Sequence, residues 1–203
     1  MKQVIVDYIP FSITPTQINE AMKENNGKLV VKGVLQRAEA KNQNGRVYPR
    51  EILVRESKKY DENFVKQNRA LGELDHPDSS VVNLQNVSHN VKDMHFEGDN
   101  LVGTVEILTT PSGNILKELF KNGIKLGISS RGLGSVEVVR ESNGDTVSKV
   151  GDDFELIAFD FVSNPSTHGA FLHPMNESVD KQGRTCGVYC RAEDIINHII
   201  RGE

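Results

Sequence analysis

The segments of this 203-residue chain that read as strands outnumber those that read as helices, and the two kinds do not alternate. A parallel sheet needs strand, crossover helix and strand in turn, so the pattern favours an α+β domain on a mostly antiparallel sheet or barrel. The N-terminal MKQVIVDYIPF reads as a first strand. Asp7 and Pro10 break its apolar run, so no secretory leader is expected. A first helix opens at Thr14-Pro15, cap and first helical position, and Gln17 completes a capping box. Ile18, Ala21 and Met22 form its stripe, and Asn25-Asn26-Gly27 ends it. Residues 28–40 read as a strand, Asn44-Gly45 as a turn, and Pro49 opens a second helix carrying Ile52, Leu53, Tyr60 and Phe64 at helical spacing.

A short strand over 68–74 runs into the polar DHPDSS, and 87–108 reads as a hairpin turning at Gly98-Asp99-Asn100. A third helix spans 112–122 with Ile115, Leu116, Leu119 and Phe120 inward and Gly123 as its stop. A glycine-interrupted strand covers 124–139, Asn143-Gly144 makes a turn, and a last strand over 153–166 ends near Asn164-Pro165, because proline cannot donate to a ladder. Residues 1–176 are expected to form the domain. Residues 177–203 are expected to be a polar linker and an amphipathic tail with Ile195, Ile196, Ile199 and Ile200 on one side.

Hydrophobic residues make up 37% of the chain and charged residues 26%, enough apolar material for a core. No apolar run reaches the roughly 18 residues a spanning helix needs, so no membrane partner is expected. The net charge is −4 and the basic residues are scattered, which argues against a nucleic-acid partner. Cys186 and Cys190 read as thiols; with His198 as the one other local ligand, no metal site and no cofactor are expected.

Three segments can carry chemistry. In GELDHP (72–77), His76 lies past a strand end before Pro77, placed to titrate in a cleft or to bond within its own turn. In GISSRGLG (127–134), two serines lie in an apolar strand, where glycine could admit a substrate backbone and amides near Gly132 could meet an oxyanion. Ser129 and Ser130 point to opposite faces, so one of them can share a cleft with His76. In FDFVSNPS (159–166), Asp160 is a carboxylate in an apolar strand and must be paired, either with a histidine or with an arginine such as Arg131. His89 competes for the same third role. Serine, histidine and an acid together suffice to activate a hydroxyl. The order His, Ser, Asp matches none of the common triads, and the G-x-S-x-G elbow is missing.

NGRVYPREIL (44–53), GELDHP, GISSRGLG and DFVSNPS, in that order over roughly residues 30 to 172, resemble the prohead proteases of tailed bacteriophages. That family is similar to the herpesvirus assemblins. The resemblance implies an α+β fold with a small, mostly antiparallel β-barrel surrounded by helices. It implies a serine endopeptidase with His76 as base, Ser129 as nucleophile and Asp160 as acid. Asp160 follows the serine, as the assemblins' third member does, whereas His89 precedes it. Amides near Ser130 and Arg131, or in the Ser163-Asn164 loop, are the oxyanion donors to consider. The implied partners are scaffold or core proteins and the major capsid protein as substrates, with cleavage after glutamate and possible self-cleavage. The implied setting is a homo-oligomer inside the assembling prohead in the host cytoplasm. The alternatives are an inactive scaffold or capsid-associated protein of the same fold, and an esterase with the same triad.

Overall fold

In the computed structural model the described residues are 3–11, 15–42, 44–77, 79–140, 144, 146–163, 172–174, 178–179 and 185–186. The elements run β1 (Gln3–Phe11), α1 (Pro15–Glu24), β2 (Leu29–Arg37), β3 (Arg46–Val47) and α2 (Arg50–Tyr60), which continues into a π-helical turn (Asp61–Val65). Then come β4 (Leu71–Glu73), β5 (Val87–Glu97), β6 (Asn100–Ile107), α3 (Pro111–Lys121), β7 (Leu126–Gly134) and β8 (Val136–Arg140). The last elements are β9 (Thr146–Val150), β10 (Glu155–Val162), β11 (Leu172–Pro174), β12 (Ser178–Val179) and β13 (Thr185–Cys186).

Local chemistry sets the boundaries. The chain leaves α1 through Asn26 (φ 53°) and Gly27 (φ 85°), the left-handed exit that Asn and Gly tolerate best. Gly98 (φ 61°) turns the β5–β6 hairpin, with Glu97 opposite Asn100. Helix α3 begins one residue earlier than the sequence indicates. Thr110 is its cap, accepting from the Gly113 amide at 3.1 Å, and Pro111 takes the first helical position. This is the Thr-Pro signature already read at 14–15. Leu116 and Phe120 are buried as expected, but Ile115 is 54% exposed. One residue is about 100° of helix rotation, enough to carry it past the edge of the packed face. Strands β3 and β9 were not expected; both lie in a small sheet of order β3-β9-β8.

The main framework is two sheets, β1-β7-β10 and β11-β2-β6-β5-β4. Every pairing within them is antiparallel. The two sheets share one core. Val31 and Leu35 of β2, Val91 of β5, Val105 of β6, Ile128 of β7 and Phe159 and Phe161 of β10 meet there, closed by Ile18 of α1 and Phe120 of α3. Phe161 contacts the rings of Phe120 and His89, with centroids 5.6 and 4.8 Å away.

The expected closed barrel is not what forms. Among the described residues, the two sheets meet edge to edge only through an isolated bridge between Leu74 and Phe161. Strand β4 is three residues long, and the chain turns away at Asp75, whose φ is 71°. It therefore cannot extend the pairing along β10. Among the described residues the sheets stay open, flanked by three α-helices. The boundary placed at 176/177, Cys190 and the tail helix lie outside the described residues.

Candidate active site

Strand β7 is the middle strand of its sheet, paired with β1 on one edge and β10 on the other. Ser129 lies directly opposite Asp160 of β10 and opposite Tyr8 of β1. Alternation puts Ser129 and Arg131 on one face of β7 and Ser130 on the other. Ser130 is committed elsewhere: its Oγ accepts from Gln36 Nε2 at 2.9 Å. Ser129 is fully buried, and its Oγ has no hydrogen-bond partner.

The bend after β4 delivers His76 to the same face. The Asp75 amide donates to the Phe161 carbonyl at 2.7 Å, fixing the chain as it leaves the strand. His76 is then held with its side chain 17% exposed, and its Nδ1 lies 2.9 Å from Asp160 Oδ2. Asp160 is saturated with donors. Oδ2 accepts from His76 Nδ1 and from Arg131 Nε at 2.8 Å, while Oδ1 accepts from Arg131 Nη2 at 3.2 Å and the Glu73 amide at 3.0 Å. Burial pushes this carboxyl up, but the hydrogen bonds from His76 and Arg131, the arginine's charge and the Glu73 amide outweigh it. They hold Asp160 below the usual carboxylate range.

A carboxylate can only accept, so Nδ1 of His76 carries the proton in this pair. The neutral ring then has its lone pair on Nε2, which is buried and without a partner. An acceptor nitrogen and a hydroxyl, both uncommitted and both buried, therefore flank the same Asp160, His76 bonded to its carboxylate and Ser129 opposite it in the ladder. That arrangement can take a proton from an attacking hydroxyl and return it to a leaving group.

His89 is not part of the cluster's hydrogen bonding. Its Nε2 lies 2.8 Å from the Phe159 carbonyl and its Nδ1 2.8 Å from Ser88 Oγ, so both ring nitrogens are engaged. Burial pushes it down to about 4, against a smaller opposing pull from Asp160 and the Phe159 carbonyl, and it stays neutral. The expectation that glycine in this segment admits a substrate backbone is not met at Gly132, where packing accounts for the residue. A Cβ there would collide with the Phe154 ring and the Glu155 carbonyl. Because β7 is paired along both edges, its amides near Ser130 and Arg131 fall within the ladders. Asn164, in the other loop considered for an oxyanion, lies outside the described residues.

Sequence reasoning missed Glu73. It is fully buried in β4, and its Oε1 accepts from Arg131 Nη2 at 3.0 Å. The available sign was Arg131 itself: a guanidinium in an apolar strand needs more acceptors than one carboxylate supplies. Among the described residues no group of His, Cys, Asp and Glu could hold a metal ion, and no helix is long and apolar enough to cross a membrane.

The family described as prohead core protein serine protease matches this chain over residues 4–180. The prohead core protein protease of Enterobacteria phage T4 is 32% identical over 149 residues, covering 72% of this chain and 68% of that protein. The solved structure of the bacteriophage T4 capsid assembly protease superposes with a TM-score of 0.66 at 27% identity, over 79% of this chain and 98% of that one.

Proposed function

This chain belongs to the prohead core protein serine proteases, and from that premise we propose that it is a serine endopeptidase using Ser129 as nucleophile, His76 as general base and Asp160 as orienting acid. The observation that carries the assignment is the pair of orphaned atoms, Ser129 Oγ and His76 Nε2, beside a carboxylate fixed on the far nitrogen of the same imidazole.

In the first step Ser129 Oγ bonds to the scissile carbonyl carbon while its proton passes to His76 Nε2. The carbonyl π electrons move to oxygen, giving a tetrahedral oxyanion. Collapse breaks the C–N bond, and the proton on Nε2 goes to the departing amine. Water then repeats the sequence on the acyl-enzyme, with the same nitrogen taking its proton and returning it to Ser129. Asp160 keeps Nδ1 protonated throughout and stabilises the imidazolium in each half-reaction. The Oγ and Nε2 are not hydrogen-bonded in this structure, and the contact is expected to form as substrate is engaged.

The proposed substrates are the core or scaffold proteins of an assembling phage head and its major capsid protein, cut after glutamate, inside the prohead in the host cytoplasm. Homo-oligomerisation and the division into a 1–176 protease domain and a 177–203 tail belong to the same reading. Glu193 is a candidate self-cleavage point. Identical termini by mass spectrometry in active and Ser129→Ala protein would remove that part. Glu73 also fits a glutamate rule, but it is fully buried in β4 and is a structural residue.

Co-expression with the neighbouring head proteins tests the whole assignment. Ser129→Ala and His76→Ala should each lower cleavage by about 10⁴-fold or more while the protein stays folded. Near-normal processing by either variant would end the triad assignment, whereas no turnover and no Ser129 labelling in the wild-type protein would favour an inactive scaffold or capsid-associated protein of the same fold. Turnover of small esters with no cleavage of head proteins would favour an esterase.

A further inference from the structure

Beneath the reacting pair, the guanidinium of Arg131 is fully buried and spread over acceptors from three parts of the chain. Nε and Nη2 fork onto the two oxygens of Asp160, Nη2 also reaches Glu73 Oε1, and Nη1 donates to the Ser79 carbonyl at 2.6 Å. Glu73 anchors the same stretch a second time, since its Oε1 also accepts from the Asn83 amide at 3.0 Å. Its other oxygen, Oε2, is buried without a partner. His76 thus lies in a segment tied down on both sides: the Glu73 amide is fixed on Asp160 before it, and Ser79 and Asn83 are fixed after it.

We propose that Arg131 and Glu73 are positioning residues for His76, Arg131 clamping Asp160 and the His76 segment into one geometry and Glu73 offsetting the arginine's charge. This deepens the triad reading and rests on it. An arginine paired with Asp160 alone would cancel the charge that the acid must present to an imidazolium. The second carboxylate leaves the cluster with a net negative charge, and Arg131 can clamp without silencing the acid. Among the described residues, the charged groups around His76 are Asp160 from β10, Arg131 from β7, Glu73 from β4 and its neighbour Asp75, whose carboxylate accepts the His76 amide at 2.9 Å. Behind them Tyr60 of α2 and His89 of β5 feel the charge of Asp160.

The test reads the rate at which an alkyl fluorophosphonate labels Ser129 across pH, which needs no knowledge of the natural cleavage site. Glu73→Gln keeps an acceptor for Arg131 and for the Asn83 amide but removes the charge. The acid limb of its labelling profile should move to lower pH, by on the order of one unit. Arg131→Gln removes the opposing charge, so its acid limb should move to higher pH. Arg131→Lys keeps the charge and loses the fork, so labelling should slow by about tenfold with the limb unmoved. Shifts of the same sign in Glu73→Gln and Arg131→Gln, or none in either, would overturn the proposal. If thermal melting shows that Arg131→Gln does not fold, Glu73→Gln and Arg131→Lys decide, and an unmoved limb in Glu73→Gln overturns it. Ser129→Ala separates the two readings. Labelling that survives this variant defeats the triad itself, whereas lost labelling with an unshifted Glu73→Gln defeats only the positioning role.

Discussion

Asp160 takes four hydrogen bonds from three side chains or amides, so its charge is held in place by much more than the histidine. From sequence, Asp160→Asn is expected to be the mildest of the three site substitutions in its effect on chemistry. The structure adds a stability cost. Asp160→Asn should destabilise by about 3 kcal/mol or more, because it strips one counter-charge from a fully buried arginine, whereas Ser129→Ala should stay within about 1 kcal/mol of wild type. Urea midpoints of the two variants provide the comparison. His89 gives a second prediction. Its imidazole is pushed down to about 4, so between that pH and its ordinary value near 6.5 the unfolded chain binds a proton that the folded chain refuses. Stability from this group is therefore intact above pH 6.5 and lost on acidification, by about 3 kcal/mol at pH 4. His89→Gln should flatten the stability–pH slope in that window by about one proton. Asp160, depressed rather than raised, adds its own loss only below the usual carboxylate range. The choice of Ser129 over Ser130 was open from alternation alone. The bond from Gln36 to Ser130 leaves Ser129 as the uncommitted hydroxyl, and no local pattern announced that Gln36 would reach across.

The short strand β4 carries more constraint than its length implies. Gly72 faces His89 across the ladder, and a Cβ on it would strike the His89 ring and the Phe159 carbonyl, which hydrogen-bond to each other in that space. Gly72→Ala should therefore cost at least about 2 kcal/mol, seen as a lowered thermal midpoint. The major elements were legible because their signatures are local. Proline and glycine mark the two ends of α1, proline marks the start of α2, and the Gly98 turn marks the β5–β6 hairpin. What escaped was set by distant partners. Strand β3 is two residues long and exists through parallel pairing with β9. Ile115 has the right spacing for the buried stripe, yet it lines a shallow apolar recess with Leu119 and Ile124 on the outer side of α3. The barrel stays open at both seams: Asp75, with its positive φ, ends β4 beside β10, and β1 and β11 are not paired with each other among the described residues. Spacing does not encode such a turn, although an aspartate is among the residues that tolerate it.

At the scale of the whole molecule, both large sheets contribute to a single core, with Phe159 and Phe161 from one packed among Val31, Val91 and Val105 from the other. They should unfold together. Far-ultraviolet ellipticity and the fluorescence of the buried Tyr48 and Tyr60 should report coincident transitions, and separated ones would show the sheets to be independent. The proposed nucleophile and base differ sharply in their setting. Ser129 belongs to a strand bonded on both edges, the kind of segment whose amides exchange with solvent only when a protein opens globally. His76 belongs to a bend outside any strand, held by the anchors at Ser79 and Asn83. Mild heating or low denaturant should therefore silence the site by releasing the imidazole while the serine strand is still protected. Such inactivation would be complete on cooling and invisible to circular dichroism: a reversible off-state that lies well short of unfolding.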